Sequence, residues 1–100
     1  MQPVKNYRES LLKALKDPAE AADYINAAIE ENDLDTFLLA LRDVAEAKGM
    51  SEISRRAKLN RVSLYKMLSH RGNPHLESVM HLLRAAGLRL SVGVRTASSA

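Results

Sequence analysis

The sequence predicts an all-α fold: a bundle of short amphipathic helices, followed by one β-strand. Two observations predict it. Apolar residues recur three and four positions apart along most of the chain, which is the spacing of one helix face. Short polar residues before each apolar run, and Asn or Gly after several of them, divide the pattern into separate helices. A chain of 100 residues, 46% of them hydrophobic, has material for one modest core. Aromatic residues make up only 4%, so Leu, Ile, Val, Ala and Met must build it.

Residues 1–6 read as a frayed terminus. Residues 7–16 predict a helix with Leu11, Leu12 and Leu15 on one side. Asp17-Pro18 then restarts the chain, because Asp caps well and Pro fits the first helical turn. The helix over 19–31 carries Ala22, Ile25, Ala28 and Ile29 as its apolar stripe. Glu30 and Glu31 oppose its dipole and predict a stop near Asn32. Asp33 caps the most regular helix, 34–48, whose Leu34, Phe37, Leu38, Leu41, Val44 and Ala45 step by three and four. Lys48-Gly49 ends it.

Residues 51–68 predict two short helices and a tight turn, with Ser51 capping the first and Asn60 the second. Ile53, Ala57 and Leu59 are apolar on the first helix and turn, and Leu64, Met67 and Leu68 share a face of the second. SHRGNPH is a loop in which Gly72 supplies backbone freedom and Asn73-Pro74 restarts the chain. The next helix, from 75 or 76 to 86, points Leu76, Val79, Met80, Leu83 and Ala86 inward and ends at Gly87. Leu88, Leu90, Val92 and Val94 then alternate with polar residues, Gly or Arg, the period of a half-buried strand. A lone strand has no ladder partner, so the expectation is pairing with the same strand of a second copy, making a homodimer. Residues 96–100 read as disordered, and the chain has no internal repeat.

Composition narrows the chemistry. The absence of cysteine excludes disulfides, thiolate metal sites and cysteine nucleophiles, and fits a cytoplasmic protein. The polar N-terminus is not a signal peptide, and the apolar run 37–41 is far short of a membrane span. His70, His75 and His81 do not have the spacing of a zinc site. There is no glycine-rich phosphate loop and no nucleophile motif. Tyr65, Lys66, His70 and Arg71 cluster as in a ribonuclease, yet the same groups suit contact with a polyanion without catalysis. The expectation is a protein that is not an enzyme and needs no cofactor or metal.

The net charge of +3 is unevenly spread. Residues 1–48 hold six basic and ten acidic residues, whereas 49–100 hold nine basic residues against Glu52 and Glu77. Two partners of opposite charge are implied. The second short helix turns Arg61, Val62, Ser63, Tyr65 and Lys66 outward, a set suited to base edges in a DNA major groove. Arg61 is the candidate for a bidentate guanine contact and Val62 for a thymine methyl. Arg55, Arg56, Lys58, Asn60, Ser69, Arg71 and Asn73 are candidates for phosphate contacts that position the module.

Residues 34–90 resemble the lambda-repressor-like (XRE/Cro-type) helix-turn-helix domain. Ile53-Ser54 stand where that family carries a Leu-Ala pair, Ala57 follows, and Leu59-Asn60 continue the turn. Leu64 and Met67 match the buried positions of the recognition helix, and RGNPHLESVMHLLRAAGL matches the later loop and fourth helix. Two positions depart from the pattern. Lys58 replaces a turn Gly that takes the left-handed conformation, at about 1–2 kcal/mol for another residue. Ser54 replaces an Ala and can bond back to the preceding turn. With the lead-in YRESLLKALKDPAEAADYINAAIEENDLDTFLLALRDVAEAKGM, the chain from about residue 7 to 94 resembles addiction-module antidote proteins, the HigA-like branch of type II antitoxins. The resemblance implies an N-terminal helical extension over 1–32 and a DNA-binding domain with its strand over 33–95. It also implies a double-stranded DNA operator and a RelE/HigB-type ribonuclease toxin as partners. The acidic residues Asp17, Glu20, Asp23, Glu30, Glu31, Asp33 and Asp35 are the charges available to a basic toxin. The alternative is a stand-alone XRE-type repressor without a toxin.

Overall fold

The structure, a computed structural model, describes residues 4–96, and its helix boundaries follow the capping residues closely. Among these residues six helices succeed one another: α1 (Val4–Ala14), α2 (Pro18–Glu30), α3 (Leu34–Lys48), α4 (Met50–Ala57), α5 (Arg61–Met67) and α6 (Leu76–Ala85). Asp17 accepts the Ala19 N–H at 3.0 Å, and Asp33 accepts the Thr36 N–H at 3.2 Å. Asn60 accepts from both Val62 and Ser63, at 2.7 and 3.3 Å. Each cap satisfies backbone donors that the first helical turn cannot.

The helix ends are equally local. Asn32, after α2, has φ 56°, a left-handed conformation that Asn tolerates better than most residues. Gly49 has φ 102° and is a one-residue joint: it closes α3 and opens α4. The same closing motif ends α4 and α6. In α4 the Leu59 N–H reaches back to the Ser54 carbonyl at 2.9 Å; in α6 the Leu88 N–H reaches the Leu83 carbonyl at 2.7 Å. The left-handed residue is Gly87 (φ 82°) in the second case and Lys58 (φ 58°) in the first. Ser54 also bonds back within α4, its hydroxyl donating to the Ser51 carbonyl at 3.2 Å.

Several expectations are corrected. Residues 4–6 are helical, so α1 begins within the stretch expected to fray; residues 1–3 and 97–100 lie outside the described residues. Ser51 lies inside α4 and does not cap it, because the Gly49 joint starts the helix at Met50. Asn73 and Pro74 stay outside α6, which begins at Leu76 after His75. The predicted C-terminal strand is absent: residues 88–96 form no strand within the described chain. Alternation alone does not make a ladder, and among the described residues no other segment offers one.

The core is continuous from Leu15 to Ala86. Helix α3 lies at its centre, with Leu38, Leu41, Val44 and Ala45 buried, α1 and α2 packed against it, and α4 packed against it in turn. Helix α6 lies on α4 through Val79, Leu82, Leu83 and Ala86. That stripe is rotated from the predicted one, so Leu82 is buried while Leu76 and Met80 face outward. Ile29 is exposed because α2 packs instead through Ala21, Ile25 and Ala28, and Leu34, in the first turn of α3, is exposed as well.

One polar group is built into this core. Asp43, on α3, is 2% exposed. Arg8 of α1 donates to its Oδ1 at 2.9 Å, and the Tyr24 hydroxyl of α2 donates to its Oδ2 at 2.6 Å. Arg8 also pairs with Glu46, which Arg42 meets from its own helix at 3.1 Å. Burial raises the Glu46 carboxyl, but the hydrogen bonds from Arg8 and Arg42 outweigh it and hold the group below its usual value. A buried carboxylate with donors from two other helices fixes the orientation of both. The Lys48 ammonium adds a tie to the α1–α2 link, donating to the Lys16 carbonyl at 2.6 Å.

Two outcomes follow from these contacts. Lys58→Gly relieves a left-handed lysine and stabilises the domain by about 1 kcal/mol, read as a higher Tm. Burial, with the hydrogen bond to Asp43, pushes Tyr24 up to about 12 from 10.0. The folded state therefore keeps its phenol proton where the unfolded chain loses it, so stability falls as pH rises between about 10 and 12. Tyr24→Phe makes that alkaline decline of Tm shallower.

Candidate nucleic-acid interface

The outward face of α5 follows from which of its residues are buried. Leu64 and the adjoining Leu68 are buried, and Met67 packs against the same core. The remaining positions of this seven-residue helix face solvent. Arg61, Val62, Ser63, Tyr65 and Lys66 are all exposed together, as the spacing predicts. Val62 is 75% exposed on this outward face.

The flanking residues are distributed less simply. Arg55 and Arg56 both bond the same Glu52 oxygen, at 2.6 and 2.7 Å. These bonds hold the Glu52 carboxyl below its usual value and raise Arg55. A phosphate must compete with Glu52 for both guanidinium groups. Lys58 is exposed at the turn between the helices. The Asn60 oxygen accepts at the cap, and its amide NH₂ is left as the donor for a phosphate. Ser69 is half-buried, its hydroxyl donating to the Lys66 carbonyl at 2.7 Å and closing the end of α5. Arg71 and Asn73 are exposed in the following loop.

That loop is held from outside the two short helices. Arg71 has φ 62°, and its backbone N–H donates to Asp35 Oδ1 of α3 at 2.7 Å. His70 Nδ1 lies 3.1 Å from the other Asp35 oxygen. Gly72 is required by space, and not by the backbone freedom expected of it. A Cβ there would sit 2.4 Å from the Met67 carbonyl oxygen, a backbone atom that cannot step aside. The Arg42 guanidinium of α3 also lies over the Tyr65 ring, 5.7 Å from its centroid. Asp35 and Arg42 therefore bracket the basic face from α3. Sequence spacing gives no sign of either contact, because each spans more than twenty residues.

The C-terminal candidates separate. Leu88 packs against the core, whereas Leu90, Val92 and Val94 are exposed, the two valines at 99% and 94%. Among the described residues no three His, Cys, Asp or Glu side chains are grouped to hold a metal ion. None of the described helices is long and apolar enough to cross a membrane.

Residues 9–94 match a family described as "Probable addiction module antidote protein". The chain belongs to this family. It is also similar to an uncharacterized protein of Haemophilus influenzae, 41% identical over 69 residues, which cover 69% of this chain and 71% of that one. No solved structure matches it. Membership implies a toxin of some kind as partner of this antidote. The family match spans the acidic helix α2, the basic pair α4–α5 and the segment after α6, so every exposed group described above lies within it.

Removing the Asp35 carboxylate tests how the loop is held. Asp35→Ala frees the Arg71 N–H, and hydrogen exchange at that amide rises at least tenfold while α5 keeps its protection.

Proposed function

We propose that this chain is the antitoxin of a type II module: it neutralises a RelE/HigB-type ribonuclease toxin and represses its own operon by binding operator DNA. Family membership supports the toxin half. The DNA half is carried by one observation: five contiguous or near-contiguous side chains with major-groove chemistry stand exposed on a helix whose other face is buried. In this proposal α4, the Lys58–Asn60 turn and α5 form an XRE-type helix-turn-helix of the HigA kind, with α5 as the recognition helix. Arg61 reads guanine, Val62 touches a thymine methyl, and Ser63, Tyr65 and Lys66 complete the face. Tyr65 is held in place by the Arg42 guanidinium, and the loop carrying Arg71 and Asn73 meets phosphates while pinned by Asp35.

The protein acts by binding and not by catalysis, in the cytoplasm, where operator and toxin are both available. Two copies bind a pseudo-palindrome with half-sites about 34 Å apart. Leu90, Val92 and Val94 offer exposed apolar side chains for contact between the copies, without a β-ladder.

Fluorescence anisotropy with DNA from the chain's own promoter tests the reading. Arg61→Ala weakens binding by about 1–3 kcal/mol and relaxes preference at one base pair in each half-site. Lys66→Ala weakens binding to all sequences alike and lowers the salt slope by about 0.9 per protomer. Equal affinity of wild type and Arg61→Ala for promoter and unrelated DNA contradicts sequence-specific repression.

A further inference from the structure

Helix α3 exposes two large apolar side chains, Leu34 in its first turn and Leu39 within its packed stretch. Leu38, Ala40 and Leu41 are buried, but Leu39 among them is 56% exposed. It stands as a ridge between two shallow clefts. One, of ≈ 220 Å³, is lined from α2 by Tyr24, Ala27, Ala28 and Glu31. The other, of ≈ 300 Å³, opens toward Asp35, Arg42 and His70. Alanines on the α2 side leave room for a partner's backbone to approach closely.

The charge around the ridge has one sign on the α2 side. Between Lys16 and Arg42 the chain has no lysine or arginine and seven carboxylates. Glu20, Asp23, Glu30 and Glu31 stand three, four or seven residues from Ala27 on α2, so they surround that small residue on the exposed surface. Such a surface repels DNA, and it repels a second copy of itself. It attracts a basic protein.

We propose that the Leu39 ridge and its two clefts are the docking surface for the toxin, and that the toxin meets it with apolar side chains flanked by lysines or arginines. The proposal rests on the antitoxin reading and adds the surface and the chemistry of the partner to it. The carboxylates of α2 steer the basic partner and set its register, while Leu39 enters an apolar depression on the other side. Toxin and operator then occupy adjoining faces, the acidic one on the α2 side of Leu39 and the basic one beyond the cleft of Arg42 and His70.

The test is isothermal titration of the full-length chain with the purified product of the reading frame that adjoins its gene. Leu39→Lys puts a cation against a basic partner and weakens binding at least tenfold. Glu30→Lys with Glu31→Lys, both at exposed positions, does so independently of any effect on packing, and its loss shrinks in high salt. Met80→Lys, on the outward face of α6, leaves binding unchanged. Circular dichroism of each variant monitors the fold. Unchanged binding in the Leu39 and Glu30/Glu31 variants, with tight binding by the wild type, overturns the ridge and leaves the antitoxin reading standing. Loss with Ile29→Lys but not with Leu39→Lys also overturns it, moving the contact to the cleft beside Leu90. No binding by the wild type overturns both.

Discussion

The arrangement depends on a buried carboxylate. Asp43 sits in the middle of α3 with almost no access to water, and its two oxygens are taken by Arg8 and Tyr24 from two different helices. A charged group in such a place is tolerated only with its hydrogen bonds made, and removing one partner typically costs about 3–5 kcal/mol. The first two helices are therefore not a loose lead-in. They complete the polar centre of α3, and Glu46 and Arg42 extend the same network along that helix toward Tyr65.

Fixing α3 in turn fixes the surfaces at its sides. Gly49 makes a one-residue turn from α3 into α4, which leaves little freedom in where the short helices go. From the other direction Asp35 holds the loop after α5, and Arg42 lies over Tyr65. The basic face is thus supported at its start by the Asn60 cap, in its middle by Arg42 and beyond its end by Asp35. Rigid presentation of this kind supports the proposed recognition of DNA, in which contacting groups must keep their register along the groove. The same α3 residues border the Leu39 ridge, so the acidic and basic surfaces share a support and adjoin at the cleft of Arg42 and His70.

Helix number, helix order and most caps were legible in the sequence because they are local. A capping side chain and the N–H it accepts lie two or three residues apart, and an apolar stripe repeats within a turn or two. The outward set on α5 was legible for the same reason: once Leu64, Met67 and Leu68 are assigned inward, the rest must point out. Lys58 in the left-handed conformation was legible through the family pattern it interrupts. The strand was misread because alternation describes what a segment can do, whereas a ladder requires a second segment at the right place.

What the sequence determined by itself was the number and order of the helices, most of their caps and which short helix carries the outward basic set. Only the tertiary structure decided that Asp43 is buried and shared, that α6 turns Leu82 inward in place of Met80, that Gly72 is needed for space, and that Asp35 and Arg42 hold the basic face. Each of these depends on groups more than four residues apart in sequence. The physical reason is that periodicity fixes a residue's angle around its own helix, but not which neighbouring helix covers that angle.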